Sequence, residues 1–127
     1  MNPWEGKIIL IVEDDHVSYE YFSIILRKTG LRILHAQNGV EAIDLCREDP
    51  HPDLVLMDIQ LPVMDGYTAT MKIKELDPGI PIVAQTAYAL AEDIRKSREA
   101  GCDDYLSKPV LKDDLLRILE KYFGKKE

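Results

Sequence analysis

The sequence predicts an α/β fold in which five strands alternate with five helices around one parallel sheet. Three features of the 127-residue chain predict it: short aliphatic runs recur, helix-like apolar spacing lies between them, and glycine or proline separates the segments. Strict alternation of buried strands with helices requires a parallel sheet covered on both faces. The length suits one domain. We place it at residues 7–123, between a linker at 1–6 and a tail at 124–127, and we expect Trp4 to pack on the surface or to belong to the linker.

The first unit begins with the strand "KIILIV" at residues 7–12. This run is aliphatic throughout, which is typical of a strand covered on both faces. A helix follows from about Val17 to Thr29, with Asp15 placed to cap its start and Gly30 its end. Its apolar face, at helical spacing, consists of Val17, Tyr21, Ile24 and Ile25.

The second unit consists of a short strand, "LRILHA" at residues 31–36, and a helix that opens at Asn38-Gly39. Pro50 and Pro52 stop this helix. Its shared apolar face is predicted to contain Val40, Ile43 and Cys46.

The third unit pairs the strand "DLVLM" at residues 53–57 with a helix at about 67–76. Asp65 is the expected N-cap of this helix, and Gly66 serves the turn before it. Pro78-Gly79 breaks the helix.

The last two strands are "PIVAQ" at residues 81–85 and "DDYLS" at 103–107. A helix at 90–100 lies between them, capped by Gly101. The final helix starts near Asp113 or Asp114. The residues in register on the two helices are Leu90, Ile94 and Ser97 or Arg98 on the first, and Leu115, Ile118, Leu119 and Tyr122 on the second.

Composition excludes several functional classes. Sixteen Lys and Arg against 23 Asp and Glu give a net charge of −7, so a large basic footprint for nucleic acid is not expected. No apolar stretch approaches the roughly 20 residues that cross a bilayer, and the N-terminus lacks the apolar region of a signal peptide, which favours a cytoplasmic protein without membrane contact. Cys46 and Cys102 lack metal or disulfide spacing and are predicted to be buried thiols.

The candidate site lies at the carboxyl ends of the strands, where parallel sheets bind ligands. The side chains that follow the strands are Glu13, Asp14, Asp15, Asp58, Thr86 and Lys108. If the first and third strands are neighbours, Glu13, Asp14 and Asp58 converge, and their like charges repel by several kcal/mol at intermediate dielectric.

Two routes relieve that repulsion: a raised pKa for one carboxyl, or a bound cation. Oxygen ligands of this kind favour Mg²⁺. Lys108 adds a fixed positive charge, Thr86 adds a hydroxyl, and Asp58 can act as a nucleophile. These parts together suit phosphoryl transfer, in which catalysis is mainly positioning and electrostatics.

The whole chain resembles the receiver domain of two-component response regulators. The motifs that carry the resemblance are "ILIVEDD", "LVLMDIQLPVMDG", "PIVAQTA" and "DDYLSKP", in family order. The resemblance implies a flavodoxin-like (βα)5 fold with strand order 2-1-3-4-5. Many family members begin the first motif with two aspartates, whereas this chain has Glu13 before Asp14.

The resemblance also implies roles for particular residues. Asp58 would accept a phosphoryl group from phosphohistidine on a histidine kinase or a histidine phosphotransfer domain. Mg²⁺ or Mn²⁺ would be held by Glu13, Asp14, Asp58 and the backbone carbonyl of Gln60. Thr86 and Lys108 would contact the phosphoryl group, and Tyr105 would be the switch aromatic.

In this reading the domain is a phosphorylated switch rather than an enzyme, apart from self-catalysed phosphorylation and dephosphorylation. The switch would remodel the face made by the fourth helix, fifth strand and fifth helix, through which partners or a second copy could bind. Gln60 and Tyr88 lie where the family tunes phosphate lifetime. The motif details most resemble receivers of hybrid histidine kinases.

Three alternatives remain open at this point. A haloacid-dehalogenase-like phosphatase also uses an aspartyl nucleophile and Mg²⁺, but it requires an Asp where this chain has Gln60. A flavin- or nucleotide-binding module would need a glycine-rich phosphate loop, which the sequence lacks. A receiver-like module that works without phosphorylation usually lacks the acceptor or the lysine, and both are present here.

Overall fold

A computed structural model of the chain describes residues 3–87 and 90–124. Strands and helices alternate throughout these residues, as the sequence predicts. The strands are β1 (Ile8–Val12), β2 (Arg32–Ala36), β3 (Leu54–Asp58), β4 (Ile82–Thr86) and β5 (Asp104–Ser107). The helices are α1 (His16–Leu26), α2 (Gly39–Arg47), α3 (Gly66–Leu76), α4 (Ala91–Ala100) and α5 (Lys112–Phe123), and a short 3-10 helix (Arg27–Thr29) follows α1.

The five strands form one parallel sheet in the order β2-β1-β3-β4-β5. This confirms the flavodoxin-like order that the resemblance implies. The chain runs outward from β1 to β2 and then crosses back to β3 on the other side of β1. The strand order therefore reverses between β1 and β3, and the cleft outside their carboxyl ends is the expected ligand site.

Alternate residues of the strands pack into two apolar clusters, one on each face of the sheet. On one side of the sheet Leu10, Val12, Val55 and Met57 belong to a cluster that includes residues of α2 and α3. On the other side Ile9, Ile11, Leu54 and Leu56 belong to a cluster that includes residues of α1 and α5. Because both faces are covered, the central strands are apolar up to their carboxyl ends and hold those ends rigidly.

Local signals in the sequence set the start of three helices. Asp15, Asn38 and Asp65 each accept a hydrogen bond from a backbone N–H three residues later, which confirms Asp15 and Asp65 as N-caps. Gly30 adopts a left-handed conformation (φ 86°) after the 3-10 helix. The helix α5 begins at Lys112, so the predicted start at Asp113 or Asp114 is slightly late.

The predicted inner face of α1 is wrong for three of its four residues, and of the four Ile25 alone packs against the core. Val17, Tyr21 and Ile24 are 76%, 42% and 59% exposed, whereas Phe22 and Leu26 are buried. Two apolar stripes compete on this helix, and helical spacing alone does not select between them. The stripe with the aromatic ring of Phe22 and the branched side chain of Leu26 is the one that packs against the sheet.

Two other helices show smaller departures of the same kind. Val40 is exposed although Ile43 and Cys46 of its predicted face are buried. Leu90 is also exposed, because it lies at the N-cap of α4 before the helix turns inward at Ser97.

Trp4 belongs to the core, and the prediction of a surface or linker position for it is wrong. Its side chain is 2% exposed, and its ring centroid lies 5.8 Å from that of Phe123. Its backbone N–H donates to the Thr29 carbonyl at 2.8 Å, and its indole N–H donates to the Gly124 carbonyl at 3.0 Å. Trp4 thus joins the segment before β1 to the end of the 3-10 helix through its backbone and to the end of α5 through its side chain.

We expect Trp4→Ala to destabilise the fold by about 3–5 kcal/mol, the usual cost of removing a buried aromatic ring. Trp4→Phe keeps an aromatic ring but loses the indole hydrogen bond, so it should cost much less, on the order of 1 kcal/mol. Urea denaturation of both variants measures the two costs. A midpoint for Trp4→Ala equal to that of the wild type would contradict the core position.

The two cysteines are free and buried, as predicted. Burial raises the pKa of the Cys46 and Cys102 thiols to about 11. Among the described residues, no helix is both long enough and apolar enough to cross a bilayer.

Candidate functional site

The site rests on matching positions of three neighbouring strands. The residues paired across β1, β3 and β4 on the face covered by α1 and α5 are Ile11, Leu56 and Val83. Side chains of a strand repeat on one face every two residues. The next row toward the carboxyl ends is therefore Glu13, Asp58 and Gln85, and each of these side chains is only 1% exposed. A buried polar row lies directly on an apolar one.

Asp58 ends β3 and is held by two donors on one oxygen. Its Oδ1 accepts from Lys108 Nζ at 3.1 Å and from the backbone N–H of Gln60 at 2.9 Å. The backbone N–H of Lys108 donates to the Thr86 carbonyl at 2.8 Å, which fixes the lysine beside β4. The peptide bond between Lys108 and Pro109 is cis. The predicted pairing of acceptor and lysine is thus present in the structure.

Glu13 is the second buried carboxyl of the site. Its Oε1 accepts from the Gln85 side-chain amide at 3.1 Å, and its Oε2 accepts from the backbone N–H of Asp15 at 3.2 Å. Burial, with a smaller contribution from the negative charge of Asp58, raises the pKa of Glu13 to about 7. The ionised form of Glu13 is therefore destabilised by the acidic pocket.

The acidic group has the composition of a divalent cation site. One carboxylate oxygen from each of Glu13, Asp14 and Asp58 lies within 4.8 Å of the other two. Asp14 is exposed, so a cation there would keep part of its water shell, as Mg²⁺ prefers. Lys108 is the lysine that pairs with this acidic group, so the three carboxylates keep a net negative charge. Their oxygen atoms and this charge both fit a hard divalent cation.

The pH dependence of stability should reveal the raised pKa of Glu13. Its ordinary value is 4.5, and the folded value is about 7. Between these values the unfolded chain releases the proton while the folded chain retains it, so a rise in pH destabilises the metal-free fold. Glu13→Gln does not titrate. The melting temperature of Glu13→Gln minus that of the wild type should therefore increase by on the order of 5 °C between pH 4.5 and pH 7.5 in EDTA.

Thermal melts at several pH values, with and without Mg²⁺, check this expectation. Mg²⁺ should reduce the advantage of Glu13→Gln at pH 7.5, because only the wild type keeps the full acidic set. A difference in melting temperature that stays constant with pH would contradict the raised pKa.

Thr86 and Tyr105 lie on the other face of the sheet. Thr86 ends β4, is buried and pairs with Ser107 of β5. Tyr105 lies two residues before Ser107, so it shares that face and stands diagonally beside Thr86. Its side chain is partly exposed and lines a small cavity of about 50 Å³ with Ile94 of α4. The structure thus places the two predicted switch residues next to each other, while Tyr88 lies outside the described residues.

The loop after β3 packs tightly against the acceptor strand. A Cβ atom added to Gly66 would lie 2.5 Å from the Asp58 carbonyl oxygen and 2.6 Å from the Ile59 Cα atom. The Gly66 N–H donates to the Ile59 carbonyl at 3.0 Å. Val63, at the tip of this loop, is exposed and has a positive φ of 70°, which is rare for a β-branched residue. Position 66 therefore accommodates only glycine, because any larger residue would clash with the backbone of Asp58 and Ile59.

Gln85 is the site residue that the sequence interpretation missed. The sequence places Gln85 at the end of the fourth strand and indicates a functional role for Thr86, the residue after it. The available signal was its position: in the buried strand "IVAQT", Gln85 lies two residues after Val83 and so shares its face. A polar side chain at an inward position requires a partner.

The fold and the site define a class: a doubly wound α/β protein with a buried aspartate, a lysine and an acidic cation pocket at its switch point. A family model for the response regulator receiver domain matches residues 9–120. The chain belongs to this family, and it is a receiver domain of two-component signalling. This confirms the resemblance drawn from the four sequence motifs.

Relatives and solved structures agree with the family. The polar-differentiation response regulator DivK of Brucella anthropi is 38% identical over 120 residues, which cover 93% of this chain and 97% of DivK. The receiver domain of the sensor histidine kinase PA1611 from Pseudomonas aeruginosa, whose structure has a magnesium ion coordinated in its active-site cleft, is 38% identical with a TM-score of 0.85. That match covers 94% of this chain and 99% of the other.

A second similar solved structure is a complex. It contains the Saccharomyces cerevisiae histidine phosphotransfer protein Ypd1 and the receiver domain of its downstream response regulator Ssk1. The match has 30% identity and a TM-score of 0.87, and it covers 94% of this chain and 90% of the other. These relatives therefore include both response regulators and a kinase receiver.

Proposed function

We propose that Asp58 accepts a phosphoryl group from phosphohistidine in a Mg²⁺-dependent reaction. The observation that carries the proposal is the position of the Asp58 carboxylate, buried at the end of β3 with Lys108 Nζ at 3.1 Å and with the acids Glu13 and Asp14 beside it. The rigid strand fixes the nucleophile at the carboxyl edge of the sheet.

The reaction forms one bond and breaks one. Lys108 and the Gln60 N–H both bond Oδ1 of Asp58, so we assign Oδ2 as the oxygen that attacks phosphorus. The P–N bond breaks, and its electron pair returns to the donor imidazole nitrogen. When bound by Glu13, Asp14, Asp58 and the Gln60 carbonyl, Mg²⁺ or Mn²⁺ neutralises charge on the phosphoryl oxygens. Lys108 contributes a positive charge on the same oxygens.

The response to phosphorylation involves Thr86 and Tyr105. The phosphoryl group adds nearly two negative charges, which attract the Thr86 hydroxyl and the Lys108 ammonium. Movement of Thr86 makes room for Tyr105 on the same face of the sheet. The surface formed by α4, β5 and α5 then changes, and we propose it as the output surface for a partner or for a second copy of the chain.

The partner is proposed to be a histidine kinase or a histidine phosphotransfer protein. The yeast complex supports this choice, since it joins a similar receiver to such a protein. DivK and the PA1611 receiver each share 38% identity with this chain. The protein that contains this receiver could therefore be a separate response regulator or a hybrid histidine kinase. Two free cysteine thiols are consistent with the reducing cytoplasm, and the net charge of −7 disfavours direct contact with nucleic acid.

We treat the domain as a switch and not as an enzyme. A phosphatase of the haloacid-dehalogenase type would need an acid–base residue two places after the nucleophile. Gln60 holds that position, and an amide does not serve as a general acid or base at neutral pH. We expect self-catalysed hydrolysis of the aspartyl phosphate to end the signal.

Intact-mass spectrometry after incubation with acetyl phosphate tests the proposal. The wild type should gain one phosphoryl group in Mg²⁺ and none in EDTA, and Asp58→Asn should gain none in either. Glu13→Gln is the matched control for loss of one acidic ligand, and it should react more slowly. Failure of the wild type to react with acetyl phosphate or with a small phosphoramidate donor would favour a phosphorylation-independent protein-binding module.

A further inference from the structure

The Gln85 side chain is a buried amide with a specific partner in the site. It lies at the end of β4 and is paired across the sheet with Asp58 of β3. Its Nε2 donates to Glu13 Oε1 at 3.1 Å, so the bond reaches over the intervening strand to the end of β1. Neighbouring strands are about 4.8 Å apart, and the long side chains of Gln85 and Glu13 together span two of these spacings. Glutamine has both the length and the donor.

The bond controls the orientation of a proposed metal ligand. Glu13 has two carboxylate oxygens, and the Asp15 N–H holds Oε2 at 3.2 Å while Gln85 holds Oε1. With both oxygens held, the carboxylate plane cannot rotate. Without Gln85, only the backbone donor remains and the carboxylate can turn about its terminal bond. Donors of this kind around a ligand set its direction and the affinity for the metal.

Gln85 also separates the acidic pocket from an apolar one. It lines a cavity of about 400 Å³ between α1 and the segment after β5, whose other walls include Tyr21, Phe22 and Val110. Lys108, which bonds Asp58, lines the same cavity. Gln85 and Lys108 are therefore the two side chains of the site that face this cavity.

We infer that Gln85 is a positioning residue that holds Glu13 in the orientation needed for the cation site. The inference rests on the proposed function, because it concerns the same Mg²⁺ site. Gln85 acts through Glu13 and does not contact the phosphoryl group. Its loss should weaken the cation site without changing the fold of the sheet.

Calorimetric titration of Mg²⁺ into the unphosphorylated protein tests the inference. Gln85→Met keeps the length and burial of the side chain and removes the donor, and we expect about a 10-fold loss of Mg²⁺ affinity. Ser97→Ala is the control: Ser97 is equally buried but lies on α4, bonded to the Asp93 carbonyl at 3.0 Å, and its loss should leave Mg²⁺ affinity unchanged. Circular dichroism in EDTA verifies that the variants fold.

A double-mutant cycle with Glu13→Gln separates positioning from a general structural effect. If Gln85 acts through Glu13, Gln85→Met should change Mg²⁺ affinity less than about 2-fold in the Glu13→Gln background. Equal losses in both backgrounds, or an unchanged affinity of Gln85→Met while the wild type binds Mg²⁺, would overturn the inference alone. Absence of Mg²⁺ binding by the wild type would overturn the proposed metal site and the inference together.

Discussion

Gly66→Ala is expected to destabilise the fold by about 3 kcal/mol, the upper range for overpacking a tight site. The added Cβ would meet the Asp58 carbonyl oxygen at 2.5 Å and the Ile59 Cα atom at 2.6 Å. Both are backbone atoms, so no side chain can rotate away. The strand end or the start of α3 must shift instead. Urea denaturation in EDTA measures the cost.

Gly79→Ala is the matched control for this substitution. Its Cβ would meet only the Asp77 Oδ1 atom, at an ordinary contact distance of 3.6 Å, and its effect should stay within about 0.5 kcal/mol. Because the shift in Gly66→Ala starts at Asp58, its folded molecules should also take up phosphoryl groups more slowly than Gly79→Ala. Equal stability of the two variants would contradict the close packing of the loop.

Asp58→Asn is expected to abolish phosphorylation and yet to stabilise the metal-free protein by about 1–2 kcal/mol at pH 7.5. The substitution preserves shape and removes a buried charge that lies beside Glu13 and Asp14. It also removes the ion pair with Lys108, but that lysine is partly exposed and can be solvated. We expect the relief of repulsion among the carboxylates to exceed the loss of this pair.

Urea denaturation with and without Mg²⁺ checks the stability of Asp58→Asn. The advantage should shrink or reverse in Mg²⁺, because the cation stabilises the wild type more strongly than the variant. Lower stability of Asp58→Asn than of the wild type in EDTA would show that the Lys108 pair outweighs the repulsion. Denaturation in EDTA thus measures how far repulsion among the carboxylates destabilises the fold, and denaturation in Mg²⁺ measures how far the cation offsets it.

The sheet and the acidic site could be predicted because they depend on short-range patterns. An apolar run as short as that of β3, bounded by turn residues, favours a doubly covered strand, and the residue that ends such a strand lies at the cleft. Asp58 and Lys108 follow their strands directly, so their meeting requires only the strand order. The resemblance supplied that order, and the parallel pairing confirms it.

Other features depended on contacts that no local pattern encodes. Trp4 is buried because the end of α5 returns to it, and Phe123 is 119 positions away in the chain. The exposed stripe of α1 differs from the buried one only in which residues fit the space above the sheet. The bond between Gln85 and Glu13 could be predicted only from the strand order, because β4 and β1 lie on opposite sides of β3.

The most direct test of the account is to locate the phosphoryl group. After reaction with acetyl phosphate and Mg²⁺, borohydride reduces an aspartyl phosphate to homoserine, and peptide mass spectrometry then identifies the converted position. The account predicts homoserine at position 58 and none in Asp58→Asn. Conversion at Glu13 or Asp14, or a phosphoryl group that resists borohydride and maps to His16, would contradict the assignment of Asp58 as the acceptor.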